Sequence, residues 1–411
     1  MRTPAQDRGL DALNLLIAGI GTAYGAFIPV YLTAMAWTQT HIGLALTVAT
    51  ITSTLCQVPA GLLVDALGAK RRRMLWIAAI IIGVTPLLLA AFPRQLPVII
   101  ALSLQAAAGA LLSPAISAVS LTRAGRDGFG ERLGRNARYG SIGAGAGAAI
   151  MGVSSTWISQ YAVFLIAASL LPFALYAIHR IGPDQPQADI IETTENPTLS
   201  ATLLAPLALL RDRRILVFAA CLGLFQLSSI AVLQLAAVEV TARTGARSGL
   251  VIAAFVIIPQ IIVALVSPAI GTYAERHGRR LVLIASFATL PFRAAAFGLI
   301  GNPYALIGVQ TLEGAGGAAF GVMMPLVAAD LTRGTKHYTL CLSLLSLAAT
   351  LGTALSTVLA GFTADRLGRS AAFFALALVG LAATLLVAVA MPETKADDSK
   401  QTSGGKGPGA L

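Results

Sequence analysis

Glu313 and Arg293 are charged side chains inside long apolar runs, and they are the residues best placed to do chemistry. A charge near the centre of a bilayer costs about 2.5–3.5 kcal/mol, so such residues usually serve a function. Glu313 has two interpretations: a carboxyl group that carries a proton or a cation, or half of a structural ion pair with Arg293. At about 1.5 Å per residue, both lie about 5 Å outward of the midplane. Glu239 and Asp330 lie near the ends of apolar runs, where we expect solvated positions.

A second set of charges recurs where apolar runs end, once in each half of the chain. Residues 61–73 read GLLVDALGAKRRR and residues 271–280 read GTYAERHGRR. Each copy has a glycine, a carboxylate four residues later, a turn glycine and then cations. Cations next to a membrane span mark its cytoplasmic side. The residues concerned are Gly61, Asp65, Gly68, Lys70 and Arg71 in the first copy, and Gly271, Glu275, Gly278, Arg279 and Arg280 in the second.

The sequence contains no recognisable catalytic or metal-binding motif. The four histidines lie at the ends of apolar runs, and there is no His-Glu-x-x-His, phosphate-binding loop or GxSxG. The three cysteines lie inside apolar runs at unrelated spacings. We therefore expect no enzyme activity, no cofactor and no metal. The net charge of +11 does not indicate nucleic-acid binding, because the cations lie between apolar runs rather than on one face.

The elements that must position these residues are membrane helices. The chain is 56% hydrophobic and 11% charged, whereas about a quarter of a soluble domain is charged. A helix needs about 20 apolar residues to cross a bilayer. The apolar runs are continuous rather than alternating, which favours helices over strands. The sequence predicts an all-α membrane protein with twelve transmembrane helices at about 12–36, 41–65, 74–92, 96–121, 138–157, 159–179, 215–240, 247–270, 280–300, 304–329, 338–361 and 370–391.

The distribution of basic residues predicts the orientation. With the N-terminus inside, 23 Lys and Arg residues fall in inner segments and 5 in outer ones, so both termini are expected in the cytoplasm. Residues 1–179 and 215–391 are predicted to form two six-helix bundles. The Pro-rich, acidic segment 180–214 would link them in the cytoplasm, and residues 392–411 would be a disordered cytoplasmic tail.

The two halves also match each other. The two glycine-carboxylate-glycine patterns lie 210 residues apart. Gln105 and Gly109 match Gln310 and Gly314 at an offset of 205 residues, and Gly152 matches Gly361 at an offset of 209. Three matches at nearly one offset indicate a duplication. In paired membrane halves the binding site lies between them near the midplane.

The chain from Asp11 to about Met391 resembles the major facilitator superfamily (MFS). Its loop from Gly61 to Arg71 is similar to that family's signature G-x-L-x-D-x-x-G-[RK]-[RK], with Ala69 in place of the first cation and Glu275 in place of Asp in the second copy. The resemblance implies that each carboxylate caps a helix of the opposite half and acts as a conformational latch.

By this resemblance, Asp65 would face the start of the eleventh span near His337, and Glu275 the start of the fifth near Arg138. Arg123 is a candidate partner for Asp65. A helix N-terminus attracts an anion by about 0.3–1 kcal/mol, which is consistent with this role. The alternative is that the loops act only as topology signals.

Two departures from the family concern proton coupling and export. Gln105 occupies a position where proton-coupled exporters of the family carry an arginine. The glycine-rich fifth span resembles the exporter motif but lacks its proline. Gly143 and Gly147 lie four residues apart, and close helix packing explains them equally well.

Further polar side chains are candidates for a substrate or proton pathway. The resemblance implies that spans one, four, seven and ten line a central cavity. Amides among apolar walls suit a neutral or weakly polar ligand, whereas bonding between helices is the alternative for each. The candidates are Tyr24, Tyr31, Gln57, Gln105, Gln226, Gln234, Gln260, Arg293, Gln310 and Glu313.

The sequence thus predicts a secondary transporter that moves a small organic compound across a bacterial inner membrane by alternating access. Export by proton antiport is the expected mode, with protons as the candidate coupling ion. Uptake by symport or uncoupled facilitation is the alternative, and a membrane-embedded enzyme or receptor is a remote one. The expected partners are the substrate and the lipid bilayer, and we expect a monomer.

Overall fold

A computed structural model describes residues 4–25, 27–67, 71–182, 209–244, 248–335 and 337–394, and every regular element in these ranges is helical. Apolar side chains along whole helix surfaces suit both lipid and the packed interior. The helices of the first half are α1 (Pro4–Gly25), α2 (Ile28–Ala34), α3 (Gln39–Leu67), α4 (Arg71–Ala91), α5 (Gln95–Ala124), α6 (Phe129–Trp157), α7 (Gln160–Ser169) and α8 (Leu171–Ile181).

The second half repeats this plan with six unbroken helices. They are α9 (Arg213–Thr244), α10 (Ser248–His277), α11 (Arg280–Leu299), α12 (Pro303–Leu331), α13 (Tyr338–Leu367) and α14 (Arg369–Ala390).

Counting α1 with α2 and α7 with α8 as single spans gives twelve, in two pseudo-symmetric bundles of six. The predicted fold class is confirmed. In the described residues, ten spans are long and apolar enough to cross a membrane by length and composition; α1 and α6 fall outside this group.

Three predicted spans differ from the structure. The fifth span begins at Phe129, nine residues before the predicted position, because charged residues of its first turns are paired inside the bundle. The sixth span divides into α7 and α8 at Leu170, and Pro172 in the first turn of α8 lacks the N–H that a continuous helix would use. The first span divides between Gly25 and Ile28.

Several predicted features lie outside the described residues. They are Gly68 and Lys70 of the first signature loop, most of the predicted linker (183–208) and most of the predicted tail (395–411). The linker, the tail and the proposed domain boundaries stay predictions.

Glycines allow the closest helix crossings inside each half. A Cβ atom added to Gly143 of α6 would collide with the carbonyl oxygen of Leu15 in α1, and one added to Gly352 of α13 would collide with that of Gly223 in α9. Gly147 is also buried. Gly143 and Gly352 are 209 residues apart, so the same crossing occurs once in each half.

The end of the molecule that carries residues 71–73, 123–129, 277–280, 331–335 and 337–338 is called the basic end below. Here the two halves touch mainly along two helix pairs, α3 with α13 and α6 with α10, with smaller contacts of α6 with α12 and of α5 with α13. These two pairs are called the seam. The seam brings the signature carboxylates of each half to the other half.

Candidate functional site

Asp65, near the end of α3, contacts the first turn of α13 in the other half. Its Oδ1 accepts a hydrogen bond from the backbone N–H of Thr339 at 3.1 Å, and its Oδ2 accepts one from Leu340 at 2.8 Å. The first four N–H groups of a helix have no partner within the helix, so a carboxylate satisfies them and meets the positive end of the dipole. His337 is the residue before this helix, at the position expected from the sequence.

Glu275, near the end of α10, makes the equivalent contact with α6. Its Oε1 accepts hydrogen bonds from the backbone N–H groups of Gly130 at 2.5 Å and Glu131 at 3.2 Å. The sequence pointed to Arg138 as the start of this helix, and the contact lies two turns earlier because α6 begins at Phe129. Each half therefore places one carboxylate on a helix N-terminus of the other.

The first glycine of each signature sits where the seam is narrowest. A Cβ added to Gly61 would lie 2.7 Å from the carbonyl oxygen of Thr339, and one added to Gly271 would overlap the carbonyl oxygen of Gly130. Thr339 Oγ1 also donates to the carbonyl of Gly61 at 2.8 Å. A side chain at either glycine would hold the carboxylate four residues later away from its target.

A further polar contact between the halves was not predicted from the sequence. Arg126, in the turn before α6, donates to the carbonyl of Ala329 at 2.9 Å, near the end of α12. A cation at a helix C-terminus meets the negative end of its dipole. Asp330 was expected to be solvated, but it pairs with Arg279 at 3.0 Å and its side chain is only 17% exposed. No pattern in the sequence indicated either contact, because the partners come from distant segments.

The remaining signature residues hold the ends of helices within their own half. Arg71 donates to the carbonyl of Val64 and to Thr122, and Arg123 donates to the carbonyl of Gly182. In the second half, Glu393 accepts from the backbone N–H groups of Arg279 and Arg280, while Gly278 adopts a φ of 97° in the turn.

The seam extends from the basic end into the membrane. Gln57 Nε2 donates to Thr350 Oγ1 at 2.9 Å, which links α3 to α13 about ten residues, or about 15 Å, from the end of α3. The rings of Phe129 and Tyr338 meet edge to face at 6.1 Å. The two halves are therefore closed against each other at the basic end.

Arg293 and Glu313 form an ion pair inside the second half. The distance from Arg293 Nη1 to Glu313 Oε2 is 2.5 Å, and the two side chains are 3% and 30% exposed. Ser229 Oγ donates to the same Glu313 oxygen at 2.9 Å. The sequence left open whether these charges pair, and the structure brings them together.

Neutral groups surround the buried guanidinium on its other sides. Its Nε donates to Gln310 Oε1 at 3.2 Å, and its Nη1 donates to the backbone carbonyl and the hydroxyl of Ser229. Gln310 in turn donates to the carbonyl of Phe255. The network joins α9, α10, α11 and α12, and it keeps acceptors around Arg293 even when Glu313 is neutral.

The other pathway candidates divide by exposure. Tyr31 is 1% exposed, donates to the carbonyl of Leu89 and packs on Phe164, so it lies inside the first half. Gln105, Gln226 and Gln260 are half-buried and Gln234 is exposed. Tyr24 lies in α1, and its side chain is outside the described part of the structure. In the described residues, no three His, Cys, Asp or Glu side chains are grouped as metal ligands.

Two pseudo-symmetric helical halves with a closed seam and a mid-span ion pair define a multi-pass membrane transporter. The sequence matches the family model of the Major Facilitator Superfamily over residues 12–263 and again over residues 230–411. The chain belongs to this superfamily, as the signature loops indicated, and it is a secondary transporter by its fold.

Relatives in sequence and in structure agree with this assignment. An uncharacterized MFS-type transporter of Mycobacterium tuberculosis, found in two strains, is 29% identical over 412 residues, which is 98% of each chain. FucP in its outward conformation has a TM-score of 0.74 at 14% identity, covering 93% of this chain and 97% of FucP. The human organic anion transporter MFSD10 has a TM-score of 0.73 at 16% identity, covering 94% of this chain and 100% of MFSD10. At these identities the solved structures show the fold alone.

Proposed function

We propose that this chain exports a small organic compound in exchange for protons, by alternating access between its two halves. In this proposal the basic end faces the cytoplasm of a bacterial inner membrane, because short positive loops resist translocation. The closed seam then corresponds to an outward-facing state. FucP, which has the same fold, is described in an outward conformation.

The single observation that carries proton coupling is Glu313, a mid-span carboxylate that is 30% exposed beside a buried arginine. A proton from outside binds a carboxyl oxygen of Glu313, which ends its ion pair with Arg293. The same proton leaves on the cytoplasmic side after the halves have rocked. Arg293 keeps its bonds to Ser229 and Gln310 throughout, so its charge stays compensated by dipoles.

The substrate in this proposal is neutral or weakly polar. Gln105, Gln226 and Gln260 offer amide groups at half-buried positions among apolar side chains, and such sites orient a ligand through a few hydrogen bonds. We propose that these three side chains contact the substrate during the cycle. The carrier functions as a monomer in the bilayer.

Proteoliposomes with an imposed pH gradient test the proposal. A panel of fluorescent neutral and cationic compounds reports substrate flux, and an internal pH dye reports proton flux. We expect some compounds to move against the proton gradient, and we expect Glu313→Gln to abolish this coupling. Asp365→Asn, an exposed carboxylate near the end of α13, is the matched control and should behave as native.

The outcomes separate the alternatives. Proton and compound fluxes in the same direction would identify uptake by symport instead. If the fluxes never respond to the pH gradient and Glu313→Gln behaves as native, proton coupling is refuted. Uncoupled facilitation would then be the supported mode of transport.

A further inference from the structure

A cluster of buried charges lies inside the first half at the basic end, apart from the seam and the mid-span pair. Asp11 of α1 accepts from Arg132 and from Arg135 of α6, the latter at 2.5 Å. Asp7 lies 3.8 Å from Arg132. Asp11 and Arg132 are each 5% exposed, so this is a desolvated ion pair.

Neutral side chains complete the cluster and connect it to a third helix. Asn136 Oδ1 accepts from Arg132 Nε at 2.9 Å and from Asn14 Nδ2 at 3.1 Å. Asn136 Nδ2 donates to Ser120 Oγ at 2.8 Å. The cluster therefore fixes the first two turns of α6 against both α1 and α5.

These turns are the ones that Glu275 contacts. Arg132 follows directly after Gly130 and Glu131, whose N–H groups donate to Glu275. A helix has no partner of its own for its first N–H groups, so their direction depends on how the helix start is held. In α6, Asp11 and Asn136 help to hold this start through Arg132, together with buried apolar side chains such as Phe129.

In the described residues, the second half builds the equivalent contact without an ion pair like that of Asp11 and Arg132. Gly130 and Glu131 correspond to Thr339 and Leu340, 209 residues later. At the same offset, the residues that correspond to the cluster are apolar or weakly polar. They are Cys341 for Arg132, Leu344 for Arg135 and Leu345 for Asn136, with Ala220 in the place of Asp11.

The repeat thus shows that apolar packing suffices to hold such a helix start. Replacing a buried ion pair by apolar residues is often neutral or stabilising, whereas removing one partner is costly. The charges of the first half are therefore not explained by stability, and their position points to the contact with Glu275.

We propose that Asp11 is a positioning residue for transport: it binds Arg132 and Arg135 so that the first turn of α6 presents Gly130 and Glu131 to Glu275. Asp11 touches neither Glu275 nor the mid-span pair and acts through α6. The proposal rests on the proposed conformational role of the Glu275 contact. It is independent of proton coupling, because its test requires no substrate.

Hydrogen exchange of the full-length protein in lipid nanodiscs tests the proposal. Since Glu275 protects the amides of Gly130 and Glu131, their exchange reports this contact directly. In Asp11→Asn we expect exchange in residues 129–136 to rise at least about tenfold. We expect a smaller rise in residues 271–277 of the other half, and none in residues 337–346 around the Asp65 contact.

Three controls make the result decisive. Asp11→Glu should restore most of the protection, because it keeps the charge. Asp7→Asn, at a partly exposed position, should raise hydrogen exchange in the same segments about twofold. This variant replaces Asp11→Asn in the test if Asp11→Asn does not fold. Glu275→Gln should expose Gly130 and Glu131 but leave α1 unchanged.

Unchanged exchange in residues 129–136 would overturn the proposal. So would a rise confined to α1 and α6, or an Asp11→Glu variant that behaves like Asp11→Asn. Failure here would leave flux coupled to the proton gradient unaffected, so the two proposals fail separately.

Discussion

Asp65 and Glu275 make the same contact in opposite directions across the seam. Each accepts two backbone hydrogen bonds from the first turn of a helix in the other half, Thr339 and Leu340 for Asp65, Gly130 and Glu131 for Glu275. A carboxylate at a helix N-terminus contributes about 0.3–1 kcal/mol, and up to about 2 kcal/mol where partly buried. In the proposed transport cycle, we expect such contacts to be strong enough to favour one state and weak enough to break.

Asp65→Asn tests the charge of the first contact while keeping its shape. The amide can still accept a hydrogen bond, so we expect a loss of about 1–2 kcal/mol from the closed basic end, a shift of about 5–30-fold in the equilibrium. Turnover should slow, while membrane insertion and expression remain native. Distance measurements between labels across the basic end check the shift, with Asp365→Asn as control. Native distances and native turnover would mean that the loop acts only as a topology signal.

Glu275→Gln should open the basic end in the same direction as Asp65→Asn. The two carboxylates contact different helices and share no partner, so we expect their effects on the equilibrium to add within about 0.5 kcal/mol in the double variant. The same label pair measures both single variants and the double variant. A double variant no more open than either single one would show that a single contact controls the seam.

The sequence predicted the architecture and the signature contacts because both depend on local patterns. Apolar runs of about 20 residues identify spans without knowledge of their neighbours, and the distribution of cations orders them. Asp65 could be directed to the start of the eleventh span near His337 because the family resemblance supplied the partner helix. What such patterns cannot supply is the identity of partners that are distant in sequence.

The start of α6 and the position of Tyr31 show that sequence patterns do not identify partners that are distant in the chain. The first turns of α6 contain Arg132 and Arg135, which read as a loop because their partner Asp11 is more than a hundred residues away. Tyr31 was a candidate either for a cavity face or for bonding between helices, and in the structure it is buried within its own half and donates to the carbonyl of Leu89. An apolar helix has no polar face to indicate which side meets a neighbour. Counting residues along the helices predicted that Arg293 and Glu313 lie at the same depth in the membrane. Whether they pair depends on how α11 packs against α12, which the sequence does not show.

Removing one member of the mid-span pair should destabilise more than removing both. Glu313→Gln leaves Arg293 buried without a counter-charge. The loss of stability from breaking a buried pair is at most about 3–5 kcal/mol, and we expect a smaller loss here because Glu313 is 30% exposed. Arg293→Met with Glu313→Gln removes both charges, and we expect it to regain most of the loss. Thermal unfolding of the three variants in detergent measures the coupling. If the double variant equals the sum of the single ones, the ion pair makes no contribution to stability.

Gly143→Ala should separate α1 from α6, because the added Cβ would collide with the carbonyl oxygen of Leu15. Helix backbones cannot move apart without disturbing their neighbours, so we expect a loss of about 1–3 kcal/mol in stability. Gly352→Ala should behave alike, since its Cβ meets the carbonyl of Gly223 in the other half. Gly140→Ala is a matched control on α6, because its Cβ would meet no atom within 4 Å. Equal melting temperatures for Gly140→Ala and Gly143→Ala would show that close approach of the helices does not determine the crossing.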